Sequence, residues 1–131
     1  MELINFILST NISIGTGVFG NICQYLEKIG ANRPGIIYDS NLSGNNYFIK
    51  NINIVNKKYS KSINIINDLG SEPTYKYLEQ IRKELEKFQP DIIIAIGGGS
   101  TMDLGKGVAL LLKNEVPALS LKGFPKNINN P

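Results

Sequence analysis

The chain has 131 residues, of which 42% are hydrophobic and 19% charged, carries a net charge of +3 and contains a single cysteine. This length and composition are typical of one globular domain spanning residues 1–131, and a single cysteine cannot form an internal disulfide. The positive residues are scattered, no apolar run is long enough to span a membrane, and no signal-peptide pattern opens the chain, so we expect a cytoplasmic protein without nucleic-acid or membrane partners.

Strand-like and helix-like patterns alternate along the chain. In chain order they predict a strand pair at 4–8 and 12–14, a helix at 18–29, a strand at 36–39, a helix at 47–58, a strand at 63–66, a helix at 74–88, a strand at 92–96, a helix at 100–113 and a strand or connecting loop at 116–121. Residues 47–58 alternate in polarity like a strand, and the helix is favoured there because the topology requires one. This order predicts an α/β fold with a doubly wound, mostly parallel, Rossmann-like sheet.

Two of the predicted helices carry a clear apolar stripe at helical spacing. In the helix at 18–29 the stripe consists of Val18, Ile22, Tyr25, Leu26 and Ile29. In the helix at 74–88 it consists of Tyr77, Ile81, Leu85 and Phe88. Pro73 suits the first turn of the second helix, because its fixed φ and missing N–H are tolerated there. Both stripes are expected to face the sheet.

The most informative segment follows the strand at 92–96, whose five apolar, mostly β-branched residues predict a buried strand. Gly97, Gly98 and Gly99 come directly after five apolar residues, and Ser100 is predicted as the N-cap of the next helix. A strand, a glycine turn and a helix N-terminus together offer a phosphate several backbone N–H groups, and glycine permits both close approach and positive φ. The alternative is a tight turn of purely structural purpose.

The helix after this turn contains further informative residues. Asp103 lies three residues after Ser100, where a carboxylate complements the positive end of the helix dipole. Lys106 is one turn further along and either pairs with Asp103 or packs its aliphatic stem, and no chemical role is predicted for it. Gly105 and Gly107 weaken a helix relative to alanine, so they predict close packing against the sheet.

A second glycine motif offers an alternative phosphate site. Gly15, Gly17 and Gly20 form a literal G-x-G-x-x-G, and Asp39 follows 19 residues after Gly20, close to the spacing of a Rossmann dinucleotide fingerprint. The strand predicted before this motif is only about three residues long, however, and belongs to a strand pair. We therefore favour the later glycine turn, although both interpretations predict a dinucleotide.

Asp39 ends a predicted central strand in either interpretation. Its carboxylate can accept hydrogen bonds from both ribose hydroxyls and would repel a 2′-phosphate, which favours NAD over NADP. The alternative role is that of a turn residue in Tyr-Asp-Ser-Asn. Asp39, Asp68, Asp91 and Asp103 suit strand ends, caps and turns, so no metal site is predicted from them.

The string Gly-Gly-Gly-Ser-x-x-Asp-x-x-Lys at residues 97–106 resembles the nucleotide-binding signature of the iron-containing (group III) alcohol dehydrogenase family. This family is related to glycerol dehydrogenase and dehydroquinate synthase. Residues 6–20, 30–39, 72–74 and 121–125 are also similar to family segments. The resemblance covers essentially the whole chain but only about the first third of a full-length family member.

The resemblance implies a nucleotide-binding N-terminal domain of a larger two-domain dehydrogenase, with the cofactor held by Asp39, Gly97, Gly98, Gly99, Ser100 and Asp103. The family transfers hydride between a small alcohol or aldehyde and NAD(P), with a divalent metal, Fe or Zn, bound in a C-terminal helical domain by one Asp and three His. This chain has no histidine. We therefore predict no catalytic residue and no metal ligand in it, and no dehydrogenase activity for the 131-residue chain itself.

The sequence is also compatible with two other functions. The chain could be a freestanding nucleotide-binding module without redox activity, or one chain of a two-chain enzyme. The resemblance also implies a homo-oligomer, formed as a dimer through the strand at 4–8. Self-association is further expected from apolar surface near Phe124 and Pro125.

Overall fold

The structure is a computed structural model that describes residues 10–68, 70, 72–123 and 129. Its α-helices and β-strands, in chain order, are α1 (Ile22–Lys28), β1 (Pro34–Asp39), α2 (Asn46–Lys58), β2 (Ile63–Asn67), α3 (Tyr75–Glu86), β3 (Ile92–Ile96) and α4 (Gly99–Lys113). Short 3-10 helices occupy Val18–Asn21, Ser40–Gly44 and Ala118–Leu121. Within the described ranges, no helix is long and apolar enough to cross a membrane.

The three described strands form one parallel sheet in the order β2-β1-β3. The register places Asp39 opposite Asn67 and Tyr38 opposite Ile96. The carboxyl ends of all three strands therefore meet at one edge of the sheet. This arrangement confirms the predicted α/β fold with a parallel sheet.

Helices cover both faces of the sheet. Successive residues of β1 point to opposite faces, so this strand contributes side chains to two cores. One core, on the side of α1 and α2, consists of Ile22, Leu26, Ile36, Tyr38, Phe48, Ile52, Val55 and Tyr59. The other, on the side of α3 and α4, consists of Ile37, Ile65, Ile81, Leu85, Leu104 and Val108. The sheet is therefore doubly wound, as the sequence predicted.

The ambiguous segment at 47–58 is helical, as predicted from the topology. In α2 the buried residues Phe48, Asn51, Ile52 and Val55 recur at intervals of three and four, which is the spacing of one helix face. The N-cap Asn45 stabilises the start of this helix, since its side chain accepts a hydrogen bond of 2.9 Å from the Phe48 N–H.

The start of the described chain differs from the prediction. Residues 11–14 are not in a strand, and the predicted strand at 4–8 lies outside the described residues. The predicted helix at 18–29 begins as a 3-10 turn and becomes α-helical only at Ile22. Tyr25 and Ile29 are 44% and 60% exposed, so only part of the predicted stripe reaches the core.

Smaller corrections apply to α3 and to the segment after α4. Thr74 is the N-cap of α3 and accepts a hydrogen bond of 3.2 Å from the Tyr77 N–H, so Pro73 precedes the helix instead of opening it. Phe88 lies beyond the end of α3 and is 48% exposed, outside the core. The predicted strand or loop at 116–121 is a loop that ends in a 3-10 helix.

Strand β3 is half-buried along its whole length, although its composition predicted a fully buried strand. The reason is its position at the edge of the described sheet, which leaves one side without a neighbouring strand. Its inner contacts are close: a Cβ on Gly105 of α4 would lie 2.5 Å from the Cβ of Ala95. A Cβ on Gly107 would lie 2.8 Å from Leu78 Cδ2, the end of a flexible side chain of α3, so the predicted packing of Gly107 against the sheet is wrong.

Asp91 stabilises the amino end of β3, at the edge of the sheet opposite to the glycine turn. Its carboxylate accepts hydrogen bonds from the backbone N–H groups of Asn32 (2.8 Å) and Arg33 (2.9 Å). Partial burial alone would raise the pKa of Asp91, but the bonds from Arg33 and Asn32 outweigh it and hold the pKa below its usual value. Asp91 is therefore a strand-end residue, as the sequence predicted.

Candidate functional site

The carboxyl edge of the sheet brings together residues from all three strands. Asp39 ends β1, Asn67 ends β2, and Gly97 follows β3 directly. Gly97 is held tightly, because a Cβ on it would lie 2.9 Å from Asp39 Cβ and 3.0 Å from Thr101 Cβ. The glycine turn therefore passes between the end of β1 and the first turn of α4.

The three glycines of the turn have different environments. Gly97 has a φ of +155°, a conformation that side chains rarely adopt, which confirms the predicted need for positive φ at this position. A Cβ on Gly98 or Gly99, in contrast, would meet no atom within 4 Å. Gly97 is thus packed against Asp39 and Thr101, whereas the space beside Gly98 and Gly99 is open.

Gly98, and not Ser100, is the N-cap of α4, so the residue at the cap position has no side chain. The predicted cap is wrong because the chain enters the helix at Gly99, which makes Ser100 the second helical residue. The first bond of the helical ladder is donated by the Met102 N–H to the Gly98 carbonyl, at 3.0 Å. The N–H groups of Gly99, Ser100 and Thr101 precede that ladder, as the first N–H groups of any helix do.

Asp103 does not lie in the first turn of α4, so its predicted role beside the positive end of the helix is wrong. The earlier start of the helix moves Asp103 into the second turn. There its Oδ1 accepts a hydrogen bond of 3.1 Å from Lys106 Nζ, which confirms the predicted pair. Both side chains are more than half exposed, so this pair contributes little to stability.

Asp39 has the turn role that the sequence offered as an alternative. Its Oδ1 accepts hydrogen bonds from the backbone N–H of Asn41 (2.9 Å) and from Asn41 Nδ2 (2.8 Å), and so caps the 3-10 helix Ser40–Gly44. These bonds use one carboxylate oxygen and fix the orientation of the group. Among the described residues, no hydrogen bond is donated to the second oxygen, Oδ2.

Two buried polar residues at this edge were not identified from the sequence. Asn67 is 5% exposed and its Nδ2 donates a hydrogen bond of 2.9 Å to Thr101 Oγ1, and Thr101 is fully buried. Each looks like an ordinary turn or helix residue in the sequence. The predicted parallel topology could have identified Asn67, because it brings the end of β2 to the same edge of the sheet as Asp39.

The earlier glycine motif is in a different setting. The Tyr47 hydroxyl accepts a hydrogen bond of 3.0 Å from the Gly20 N–H and donates one of 2.8 Å to the Gly17 carbonyl. The helix that follows the motif, α1, has only seven residues, and no strand precedes the motif in the described chain. This segment therefore lacks the strand-turn-helix arrangement that its spacing suggested.

Across the described residues, no group of three or more His, Cys, Asp or Glu side chains is placed to hold a metal ion. Asp39 and Asp91 lie at opposite ends of the sheet.

Comparisons with known proteins agree with this architecture. The family model described as iron-containing alcohol dehydrogenase matches residues 9–131. An alcohol dehydrogenase from Thermococcus barophilus is 31% identical over 103 residues, which are 79% of this chain and 26% of that protein. A mitochondrial hydroxyacid-oxoacid transhydrogenase from Mus musculus is 32% identical over 104 residues, which are 77% of this chain and 22% of that protein.

Solved structures show the same fold. A sulfoacetaldehyde reductase from Bifidobacterium kashiwanohense, in complex with NAD+, superimposes with a TM-score of 0.84 at 17% identity over 98% of this chain and 34% of its own. An NADH-dependent butanol dehydrogenase A from Thermotoga maritima gives a TM-score of 0.81 at 19% identity over 92% of this chain and 30% of its own.

The chain spans about a quarter of the length of these curated relatives. The family model nevertheless matches nearly all of it, and the predicted resemblance is confirmed. The chain belongs to the iron-containing alcohol dehydrogenase family.

Proposed function

We propose that this chain is the NAD-binding domain of a larger two-domain, iron-type alcohol dehydrogenase or aldehyde reductase. The pyrophosphate would lie against Gly98, Gly99 and Ser100, and the adenosine ribose against Asp39. The observation that carries the proposal is the open space at Gly98 and Gly99, beside a Gly97 that is packed against Asp39. Because no Cβ fills that space, an anion can approach the N–H groups that open α4.

Asp39 gives the proposed site its preference for NAD over NADP. Asn41 holds Oδ1, so Oδ2 is the oxygen that would accept a hydrogen bond from a ribose hydroxyl. A 2′-phosphate at the same place would meet a carboxylate of like charge. Asp103, one turn beyond the glycines and paired with Lys106, stays a predicted cofactor contact.

The complete enzyme would transfer hydride between a small alcohol or aldehyde and the nicotinamide, and the cofactor supplies that chemistry when bound. The names of the relatives include a butanol dehydrogenase, a sulfoacetaldehyde reductase and a 4-hydroxybutyrate dehydrogenase. These names support a small substrate but do not identify a particular alcohol or aldehyde. This chain's part would be to bind and orient the cofactor. A dimer in the cytoplasm is part of the same proposal.

The residues of this chain do not fit the metal that the family name implies. The chain contains no histidine, and the described acidic side chains are not clustered. We therefore assign no step of the reaction to a metal held here, and we expect no alcohol oxidation by the 131-residue chain alone.

A matched pair of charge-removing variants tests the proposed site. NADH and NADPH are titrated against the wild type, Asp39→Asn and Asp91→Asn, with nucleotide fluorescence as the readout. We expect Asp39→Asn to weaken NADH binding about tenfold, because a charge-assisted hydrogen bond is lost. The same substitution should reduce the difference in affinity between NADH and NADPH. Asp91→Asn removes the same charge at the far edge of the sheet and should leave both affinities unchanged. Equal effects of the two substitutions would contradict the proposed ribose contact.

A further inference from the structure

A hydrogen bond beneath the glycine turn connects two elements that the turn itself does not join. Asn67 closes β2, whereas Thr101 is the third residue of α4. The Asn67 Nδ2 donates to Thr101 Oγ1 at 2.9 Å, and both residues are buried, at 5% and 0% exposure. Buried polar groups are rare unless they are paired, so this contact links the end of β2 to the start of α4 inside the protein.

The same Thr101 side chain limits the position of Gly97. The ideal Cβ of Gly97 would lie 3.0 Å from both the Cβ and the Oγ1 of Thr101, and 2.9 Å from Asp39 Cβ. The backbone of the turn therefore fits between one side chain from β1 and one from α4. If the Thr101 side chain moved or rotated, one of the two surfaces between which Gly97 fits would move with it.

The register completes the connection. Asp39 and Asn67 are directly opposite each other in the β1–β2 ladder, so the contact with Thr101 starts from the strand position next to Asp39. Asp39 and Thr101, the two residues that contact Gly97, are therefore both connected to the paired ends of β1 and β2. The Thr101 N–H is itself one of the helix N–H groups that precede the ladder of α4.

We propose that the Asn67–Thr101 hydrogen bond is a positioning contact that fixes the conformation of the glycine turn and thereby sets its affinity for a dinucleotide. Neither side chain is proposed to touch the cofactor, so both residues act through the backbone of Gly97, Gly98 and Gly99. The part that concerns affinity rests on the proposed function. The part that concerns the turn does not, because it applies to the protein without a ligand.

The first measurement concerns the turn in the absence of ligand. Backbone heteronuclear NOE values are recorded by NMR for the amides of Gly98 and Gly99 in the wild type, Thr101→Val, Thr101→Ser and Asn67→Ala. Thr101→Val keeps the shape of the side chain and removes the oxygen, and Thr101→Ser restores the oxygen. We expect lower NOE values in Thr101→Val and Asn67→Ala, and values close to the wild type in Thr101→Ser.

Asn51→Ala is the matched control for loss of stability. Asn51 is another buried asparagine, at 6% exposure, and its Nδ2 donates a hydrogen bond of 2.9 Å to the Tyr47 carbonyl, away from the turn. It should lower the melting temperature without changing the NOE values of Gly98 and Gly99. A merely structural role for Thr101 would make Thr101→Val behave as Asn51→Ala does.

The second measurement is NADH affinity in the same variants. We expect Kd to rise about tenfold in Thr101→Val and to return close to the wild-type value in Thr101→Ser. Unchanged NOE values in Thr101→Val and Asn67→Ala would overturn the inference, whether or not the wild type binds NADH. A loosened turn in a protein that does not bind NADH even as wild type would support the positioning contact and contradict the proposed function. If Thr101→Val did not fold, Asn67→Ala would decide between the same results.

Discussion

Two glycine-rich segments of this chain match phosphate-binding patterns, and the structure treats them differently. In the first, Gly15 to Gly20, the Tyr47 hydroxyl forms hydrogen bonds with the Gly17 carbonyl and the Gly20 N–H. In the second, the spaces at Gly98 and Gly99 are open. The first segment has the more literal dinucleotide spacing, but part of its backbone is already bonded to the protein's own side chain.

The difference lies in the elements around each segment. The second turn leaves β3 at the carboxyl edge of a parallel sheet and opens a helix of 15 residues. The first is preceded by residues without strand structure and followed by a helix of seven residues. A glycine spacing therefore indicates a phosphate site only when a strand and a helix direct the backbone N–H groups outwards.

The largest effect is expected from Gly97→Ala. The new Cβ would lie 2.9 Å from Asp39 Cβ in a backbone conformation that favours glycine. We expect a loss of about 3 kcal/mol in the free energy of unfolding, from overpacking and backbone strain together. Thermal or denaturant unfolding measures it. Gly99→Ala is the control, since its Cβ meets no atom within 4 Å, and a comparable loss there would contradict the steric argument.

Gly17→Ala tests the first segment in the same way and should have a smaller effect. Gly17 has a φ of +76°, but a Cβ on it would lie at an ordinary 3.7 Å from the Tyr47 hydroxyl. Only backbone strain remains, so we expect a loss of about 1 kcal/mol in the free energy of unfolding. NADH affinity, measured by fluorescence titration, should not change. A tenfold weaker affinity would show that the first segment belongs to the cofactor site.

The smallest effect is expected from Tyr47→Phe. It removes the hydroxyl that joins Gly17 and Gly20 but keeps the ring of this residue, which is 49% exposed. Because water can replace the hydroxyl at such an exposed site, we expect a loss of only about 0.5 kcal/mol in the free energy of unfolding. Denaturant unfolding checks this value. Improved NADH binding by this variant would indicate that Tyr47 blocks a phosphate site in the wild type.

The main elements of the fold could be predicted because their patterns are local. The apolar spacing of α3 and the strand-turn-helix order around Gly97 both follow from neighbouring residues. Even α2, where the alternating Ile and Asn residues imitate a strand, was identified from the need for a crossover between two parallel strands.

The sequence-based predictions were wrong where the local structure depends on residues that are distant in the chain. Ser100 has a good capping side chain, yet the helix begins at Gly99, directly after a turn in which Gly97 packs between Asp39 and Thr101. The composition of β3 predicted full burial, but the exposure of a strand depends on its place in the sheet. Asn67 is polar at a strand end, and only the packing of α4 makes it a buried partner of Thr101.

The most direct test of the account compares NADH binding by the wild type, Gly98→Val and Gly15→Val. A Cβ at either position would meet no atom within 4 Å, so neither substitution should disturb the folded protein. We predict saturable binding by the wild type, a Kd raised about a hundredfold in Gly98→Val because the side chain fills the space for the pyrophosphate, and an unchanged Kd in Gly15→Val. Binding that survives Gly98→Val and is lost in Gly15→Val, or no binding by the wild type, would contradict the account.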